Sequence, residues 1–213
     1  MKNILVALGF TLSSFYTQSQ SLIARYCLDG NGIDNSANGY DGIQQNCTPD
    51  IDRFAASGRA MRFDTTSSII LPPVSPAGMS SRTITAWFKT DVDSFFNGKP
   101  GCIISTGSNG TYTAYNLGVN IWGPNTFGIY TGGFDYHATI APGFNDRRWH
   151  FASVMMKNPA TNCPNCFEIK LYLDGRGIDS ACMCPVNASV VYTTGQSNFI
   201  GKDNGPAGGL HFW

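Results

Sequence analysis

The chain has 213 residues, and its fourteen Lys and Arg cancel its fourteen Asp and Glu, with charged residues only 13% of the total. That balance leaves no electrostatic footprint for nucleic acid or for an anionic membrane surface. Gly, Asn, Ser and Thr carry the polar surface instead, which suits uncharged partners such as glycans or other proteins.

The N-terminus opens with Lys2, continues through an apolar stretch from Ile4 to Phe15, and closes on small residues at Ser19 and Ser21. These are the three parts of a secretory signal peptide over 1–21, with cleavage before Leu22. The apolar stretch is too short, and too interrupted by Ser and Thr, to span a bilayer, and no later segment is a candidate span. Residues 22–213 then read as one secreted domain. Seven cysteines in such a chain point to disulfides, with one cysteine left over. Sequons at Asn46, Asn109 and Asn187 are candidate glycosylation sites.

Helical periodicity is almost absent. Leu22–Leu28 reads as a strand, followed by a loop dense in Asp, Asn, Ser and Gly from Asp29 to Gly39. Short apolar or alternating runs then recur between Gly, Pro and Asn clusters, among them Ala60–Phe63, Ser68–Leu71, Thr83–Lys89, Cys102–Thr106, Thr126–Thr131, Trp149–Lys157, Phe167–Leu173 and Asn198–Gly201. Many short strands at this spacing predict a β-sandwich or barrel. In Thr83–Lys89, Ile84, Ala86 and Phe88 alternate with Thr85, Trp87 and Lys89. In Ile169–Leu173 the apolar set Ile169, Leu171 and Leu173 alternates with Lys170 and Tyr172, and Asp174-Gly175 supplies a tight hairpin turn.

The run of motifs resembles the laminin G-like, pentraxin-like modules of the concanavalin A-like lectin/glucanase superfamily. The matching pieces are Tyr26–Asn31 with Asp34, Ser36, Asn38 and Gly39, then Ala60–Asp64, Ile69–Pro72, Thr83–Lys89, Trp149–Val154, Leu171–Gly175 and Phe199–Asn204. The resemblance covers nearly all of residues 22–213. It implies an all-β, two-sheet antiparallel jelly-roll sandwich. It also implies a closing strand after Gly208–Trp213, which this sequence lacks, so Leu22–Leu28 is expected to want a partner.

Relatives of this fold include glycosidases, which need paired carboxyl groups flanking the scissile bond. The chain has a single Glu, Glu168, and Asp91 and Asp93 fall in a predicted loop. No Gly-x-Ser-x-Gly elbow is present, and His137, His150 and His211 read as structural or surface residues. The chain is therefore expected to be non-catalytic. For a metal, calcium suits the Asp/Asn/Gly loop: Asp29 and Asp34 come first, with Asn38, Asp41 and Asp203 as completing ligands. The alternative is an Asx-turn loop with no ion.

Cys163, Cys166, Cys182 and Cys184 can be read as zinc ligands, but an oxidising compartment favours disulfides. With the Asp174-Gly175 turn, Phe167 lies across from Cys182, which favours nested bridges Cys166–Cys182 and Cys163–Cys184. Cys27 and Cys47 flank the Asp/Asn loop and can close it, leaving Cys102. A sugar platform is read in the middle third, at Trp122, Tyr130, Phe134 and Tyr136. The expected function is a secreted binding or adhesion module for a glycan or an extracellular protein, with calcium ordering a loop. The alternatives are an accessory or degenerate part of a polysaccharide-acting glycoside hydrolase, and a structural surface protein.

Overall fold

The computed structural model describes residues 21–74, 78, 80–90, 101–108, 113–120, 123–131, 135–158, 166–183 and 198–203. The signal-peptide reading falls almost wholly outside these residues. The described chain is all-β. Its strands are β1 (Ile43–Gln45), β2 (Thr48–Asp50), β3 (Ala60–Arg62), β4 (Ser68–Leu71), β5 (Arg82–Lys89), β6 (Gly101–Ser105) and β7 (Asn116–Val119), then β8 (Thr126–Tyr130), β9 (Asp135–Thr139), β10 (Trp149–Lys157), β11 (Phe167–Leu173), β12 (Arg176–Met183) and β13 (Asn198–Ile200).

These strands form an antiparallel jelly-roll sandwich. One sheet has seven strands in the order β1-β4-β13-β6-β7-β8-β9, and the other has four in the order β12-β11-β10-β5. The short pair β2–β3 stands apart from both. Alternation sets which face of each strand turns inward. In β11, Phe167, Ile169, Leu171 and Leu173 are buried while Glu168, Lys170 and Tyr172 are not, and β10 alternates in the same way through Ala152, Val154 and Met156. Each large side chain buried this way contributes about 1.5–3 kcal/mol, so a one-residue slip would forfeit the set. With Leu117, Phe127, Ile129 and Phe144 they make the main core. A second, smaller cluster gathers Met61, Phe63, Ile69, Leu71 and Ile200.

The β11–β12 hairpin turns at Asp174 (φ 51°) and Gly175 (φ 77°), the positive-φ pair that a two-residue turn of this hand requires. A bulge between Leu171 and Tyr172 then moves the register by one, so Cys182 lies opposite Glu168 rather than Phe167. In the seven-stranded sheet, β8 is buried on both faces. Gly128 sits where any Cβ would come within 2.0 Å of the Tyr136 carbonyl oxygen, so only glycine fits.

One expectation fails. Leu22–Leu28 is not a strand; its one ladder contact is the bridge from Tyr26 to Asp34, because no described strand lies alongside to extend it. In turn, Thr48-Pro49-Asp50 does form a strand. Its proline is tolerated because β2 pairs on one side only.

Candidate functional site

The Asp/Asn loop is organised around one buried carboxylate. Asp34 Oδ1 accepts the backbone N–H groups of Arg25 and Ser36, at 2.9 and 2.8 Å. Its Oδ2 accepts the Ser36 hydroxyl at 2.7 Å and the Tyr40 N–H at 3.1 Å. Burial alone would raise the Asp34 carboxyl, but these donors outweigh it and pull the pKa down to about 2. Around it, Asp41 accepts the Asp34 N–H at 2.9 Å, and the Asn38 amide donates to the carbonyls of Leu22 and Ile23 at 2.9 and 2.8 Å. The loop thus ties the N-terminal segment to β1.

Several of the expected calcium ligands have partners within the protein. Both Asp34 oxygens already face two donors each, whose positive ends would repel a cation. Asp29 is paired with Arg59 at 2.6 Å. Asp203 follows β13 and lies near Cys102 and Tyr130, whose pKa values it helps to raise. Among the described residues, no three His, Cys, Asp or Glu side chains come together as a metal cluster. In this structure the Asp34 carboxylate is turned to backbone N–H and hydroxyl donors, the arrangement of an Asx-turn loop.

Carboxylates elsewhere are also committed. Glu168 pairs with Lys170 at 3.2 Å. His150, packed beside Phe88 and Phe144, bridges Asp174 through Nδ1 at 2.8 Å and Asp146 through Nε2 at 3.1 Å. Burial pushes the imidazole down, but the two carboxylates outweigh it and raise its pKa above the ordinary value. Asp174 also accepts the Phe151 N–H at 2.8 Å. This clamp joins the loop before β10 to the β11–β12 turn and is structural.

Of the four aromatic residues chosen from the sequence, the two described ones, Tyr130 and Tyr136, are packed inward rather than presented as an exposed surface. Tyr130 is buried beside Cys102, and Tyr136 packs against the core with its hydroxyl near Asp179. Trp122 and Phe134 lie outside the described residues. Among the described residues, exposed aromatic surface lies on the outer face of the four-stranded sheet. Trp87 on β5 is 46% exposed and lies directly across from Phe151 on β10, with ring centroids 5.1 Å apart. Two residues along, Lys89 lies across from Trp149 and sits 5.3 Å from its ring centroid. From the β2–β3 loop, Arg53 stacks on Phe54 at 4.4 Å and on Trp87 at 4.7 Å, and Phe54 is 74% exposed. Thr85 and Ser153 form the next cross-strand pair on this face, and Tyr172 lies opposite Ser153 on β11. The sequence signal was a tryptophan in the polar register of an amphipathic strand.

The cysteines divide into two groups. Cys166 and Cys182 are disulfide-bonded. The nested pairing also involves Cys163 and Cys184, which lie outside the described residues. The Cys27–Cys47 bridge is not formed. Both are free thiols, and the Cys47 S–H is held near the carbonyls of Gln45 and Ser68 at 3.3 and 3.2 Å, against β4 and away from Cys27. Cys102 is a fully buried thiol, raised by burial well above its ordinary pKa. Asn46 is exposed at φ 52°, open to modification, whereas Asn109 and Asn187 fall outside the described residues.

The strand order defines an antiparallel jelly-roll sandwich, and a solved structure agrees on that fold. Domain 4 of AbnA, a GH43 extracellular arabinanase from Geobacillus stearothermophilus solved with arabinotriose, superposes with a TM-score of 0.60 at 15% identity, over 91% of this chain and 85% of that one. Weaker superpositions reach mouse laminin α1 domains LG4-5 (TM-score 0.47, 12% identity, 66% of this chain and 33% of that one) and a Streptomyces sioyaensis endo-1,3-β-glucanase (0.39, 11%, 80% and 65%). No protein-family model matches the sequence, and no characterised protein matches it by sequence alone.

Proposed function

We propose that this chain is a secreted, non-catalytic glycan-binding module of the laminin G-like kind. The observation that carries this reading is the outer-face row of Trp87, Phe151 and Trp149, flanked by Arg53, Lys89, Thr85 and Ser153. Sugar rings pack their C–H faces on aromatic rings, while hydroxyl, guanidinium and ammonium groups bind the ring edges. Strands hold these side chains, so little ordering entropy opposes binding. His150 holds Asp146 and Asp174, Lys170 holds Glu168, and Asp52, beside Arg53, accepts the backbone N–H groups of Phe54 and Ala56 at 2.8 Å.

The test is a glycan array followed by titration of the best binder. Arabino-oligosaccharides belong in the panel because the arabinanase domain was solved with arabinotriose. Trp87→Ala should weaken binding at least about tenfold, the scale of a central aromatic contact. Unchanged affinity in that variant would remove the aromatic face from the reading. Release of reducing sugar from the best binder would overturn its non-catalytic part and favour a glycoside hydrolase.

A further inference from the structure

Asn-Gly pairs stand at Asn31, Asn38, Asn97, Asn109 and Asn204, and the first two fall in the described residues. Glycine has no side chain to shield its own nitrogen or restrict its backbone, so an Asn-Gly pair closes a five-membered imide more readily than other Asn pairs. The fold treats the two described pairs differently. Gly32 is buried, and a Cβ there would come within 2.8 Å of the Gly42 carbonyl oxygen and 3.0 Å of Ile69 Cγ2. Its carbonyl accepts the Gly42 N–H at 2.8 Å. The Asn31 side chain accepts the Ile33 N–H at 3.0 Å and donates to the Asp29 carbonyl at 3.3 Å. Asn31-Gly32 is thus locked against its neighbours. Asn38 and Gly39 are both exposed, and Gly39 (φ 76°) has nothing within 4 Å of where a Cβ would sit. Among the described residues, nothing accepts a hydrogen bond from the Gly39 N–H.

Asn38 is also the clasp of the segment that precedes the loop. Its Nδ2 donates to the carbonyls of both Leu22 and Ile23, at 2.9 and 2.8 Å. The Ser36 hydroxyl lies 3.1 Å from the Ile23 carbonyl but only 2.7 Å from Asp34 Oδ2. One hydroxyl hydrogen cannot serve both, and the nearer, charged acceptor takes it. Farther along, the Arg25 N–H and carbonyl are tied to Asp34 and Asn35, at 2.9 and 2.6 Å. Leu22 and Ile23 therefore depend on a single side-chain amide.

We propose that Asn38 is a site of spontaneous deamidation that acts as a one-way latch on this segment. When the segment lifts and frees the amide, the Gly39 nitrogen gives its proton to solvent base and attacks Asn38 Cγ. The bond from Cγ to Nδ2 breaks, and Nδ2 takes a proton back from solvent and leaves as ammonia. Water then opens the imide at either carbonyl, leaving Asp or isoaspartate at position 38. The net change is one water consumed, one ammonia released and one negative charge gained. A carboxylate has no N–H to donate, and its oxygens would face the Leu22 and Ile23 carbonyl oxygens, acceptor against acceptor. The segment cannot close again in the same way.

The test is to hold the full chain at mildly alkaline pH and map its peptides over time by mass spectrometry, with Asp and isoaspartate products separated by chromatography. Conversion at Asn38 should outpace conversion at Asn31 by at least about tenfold, a difference set by how often each pair opens. In urea the two pairs should convert at similar rates, because the fold no longer separates them. Amide exchange at Ile23, Ala24 and Arg25 should be faster in aged protein than in fresh protein. Asn38→Asp should show the aged pattern from the start. Exchange in β11 should stay as in fresh protein in both, which shows that the sandwich is intact. Four results would overturn the proposal: no conversion at Asn38, conversion at Asn31 as fast as at Asn38, a preference for Asn38 that persists in urea, or the same exchange at Ile23–Arg25 in fresh, aged and Asn38→Asp protein.

Discussion

Replacing Asp34 with Asn tests whether the Asp/Asn loop is a structural knot or a metal site. Asp34 is 7% exposed, and its two oxygens accept four donors from Arg25, Ser36 and Tyr40. A carboxyl moved from 3.8 to about 2 is favoured in the folded state by about 2 kcal/mol, at roughly 1.4 kcal/mol per tenfold in proton affinity. Asn keeps the shape but loses the charge and offers one acceptor oxygen. One side of the cluster is then left facing an amide N–H, which adds about 1–3 kcal/mol for unsatisfied buried groups. Asp34→Asn should therefore cost about 3–5 kcal/mol in urea unfolding at neutral pH, with an unchanged slope. The sign with pH follows from the depressed pKa. The stabilisation is fully present above the unfolded carboxyl pKa, near 4, and is lost as pH falls through 4 towards 2. The wild type should lose stability across that window, and the variant should show a correspondingly smaller loss. A cost below about 0.5 kcal/mol, with acid sensitivity equal to wild type, would refute the argument.

Calcium added to chelator-treated protein should leave the thermal midpoint unchanged, because the Asp34 oxygens already face four donors; a saturable rise would overturn that reading. The His150 clamp contributes stability below the ordinary imidazole pKa and loses it as pH rises through the raised one, so Asp174→Asn should flatten urea midpoints measured from about pH 5 to 9. An equally steep profile in Asp174→Asn would show that the carboxylate does not hold the imidazolium. Gly128→Ala should cost several kcal/mol, about 3 or more, because its Cβ would collide with β9 backbone; a loss under about 1 kcal/mol would mean that the strands part easily. In native protein Cys27 should alkylate quickly and Cys102 hardly at all, read by mass spectrometry of the peptides; a Cys27–Cys47 disulfide in those maps would contradict the free thiols.

The sandwich was legible in the sequence because period-two alternation is a local pattern with one physical meaning. Ile169, Leu171 and Leu173 had to share a face, and Asp174-Gly175 had to turn. The bulge at Leu171/Tyr172 was not legible, since an extra residue leaves no mark on composition, and it displaced Cys182 from its expected neighbour by one position. The Asp-rich loop was ambiguous for a different reason. The same Asp, Asn and Ser side chains serve a cation or a ring of backbone N–H groups, and only their orientation separates the two uses. Aromatic residues pose the same problem at larger scale. Tyr130 and Trp87 both sit in strands, but Tyr130 is 8% exposed and Trp87 is 46% exposed. What distinguished them was register: Trp87 alternates with Ile84, Ala86 and Phe88, so it must leave the core once they enter it. An aromatic that occupies the polar phase of such a strand gains nothing from the interior, and a cross-strand partner such as Phe151 turns it into a surface.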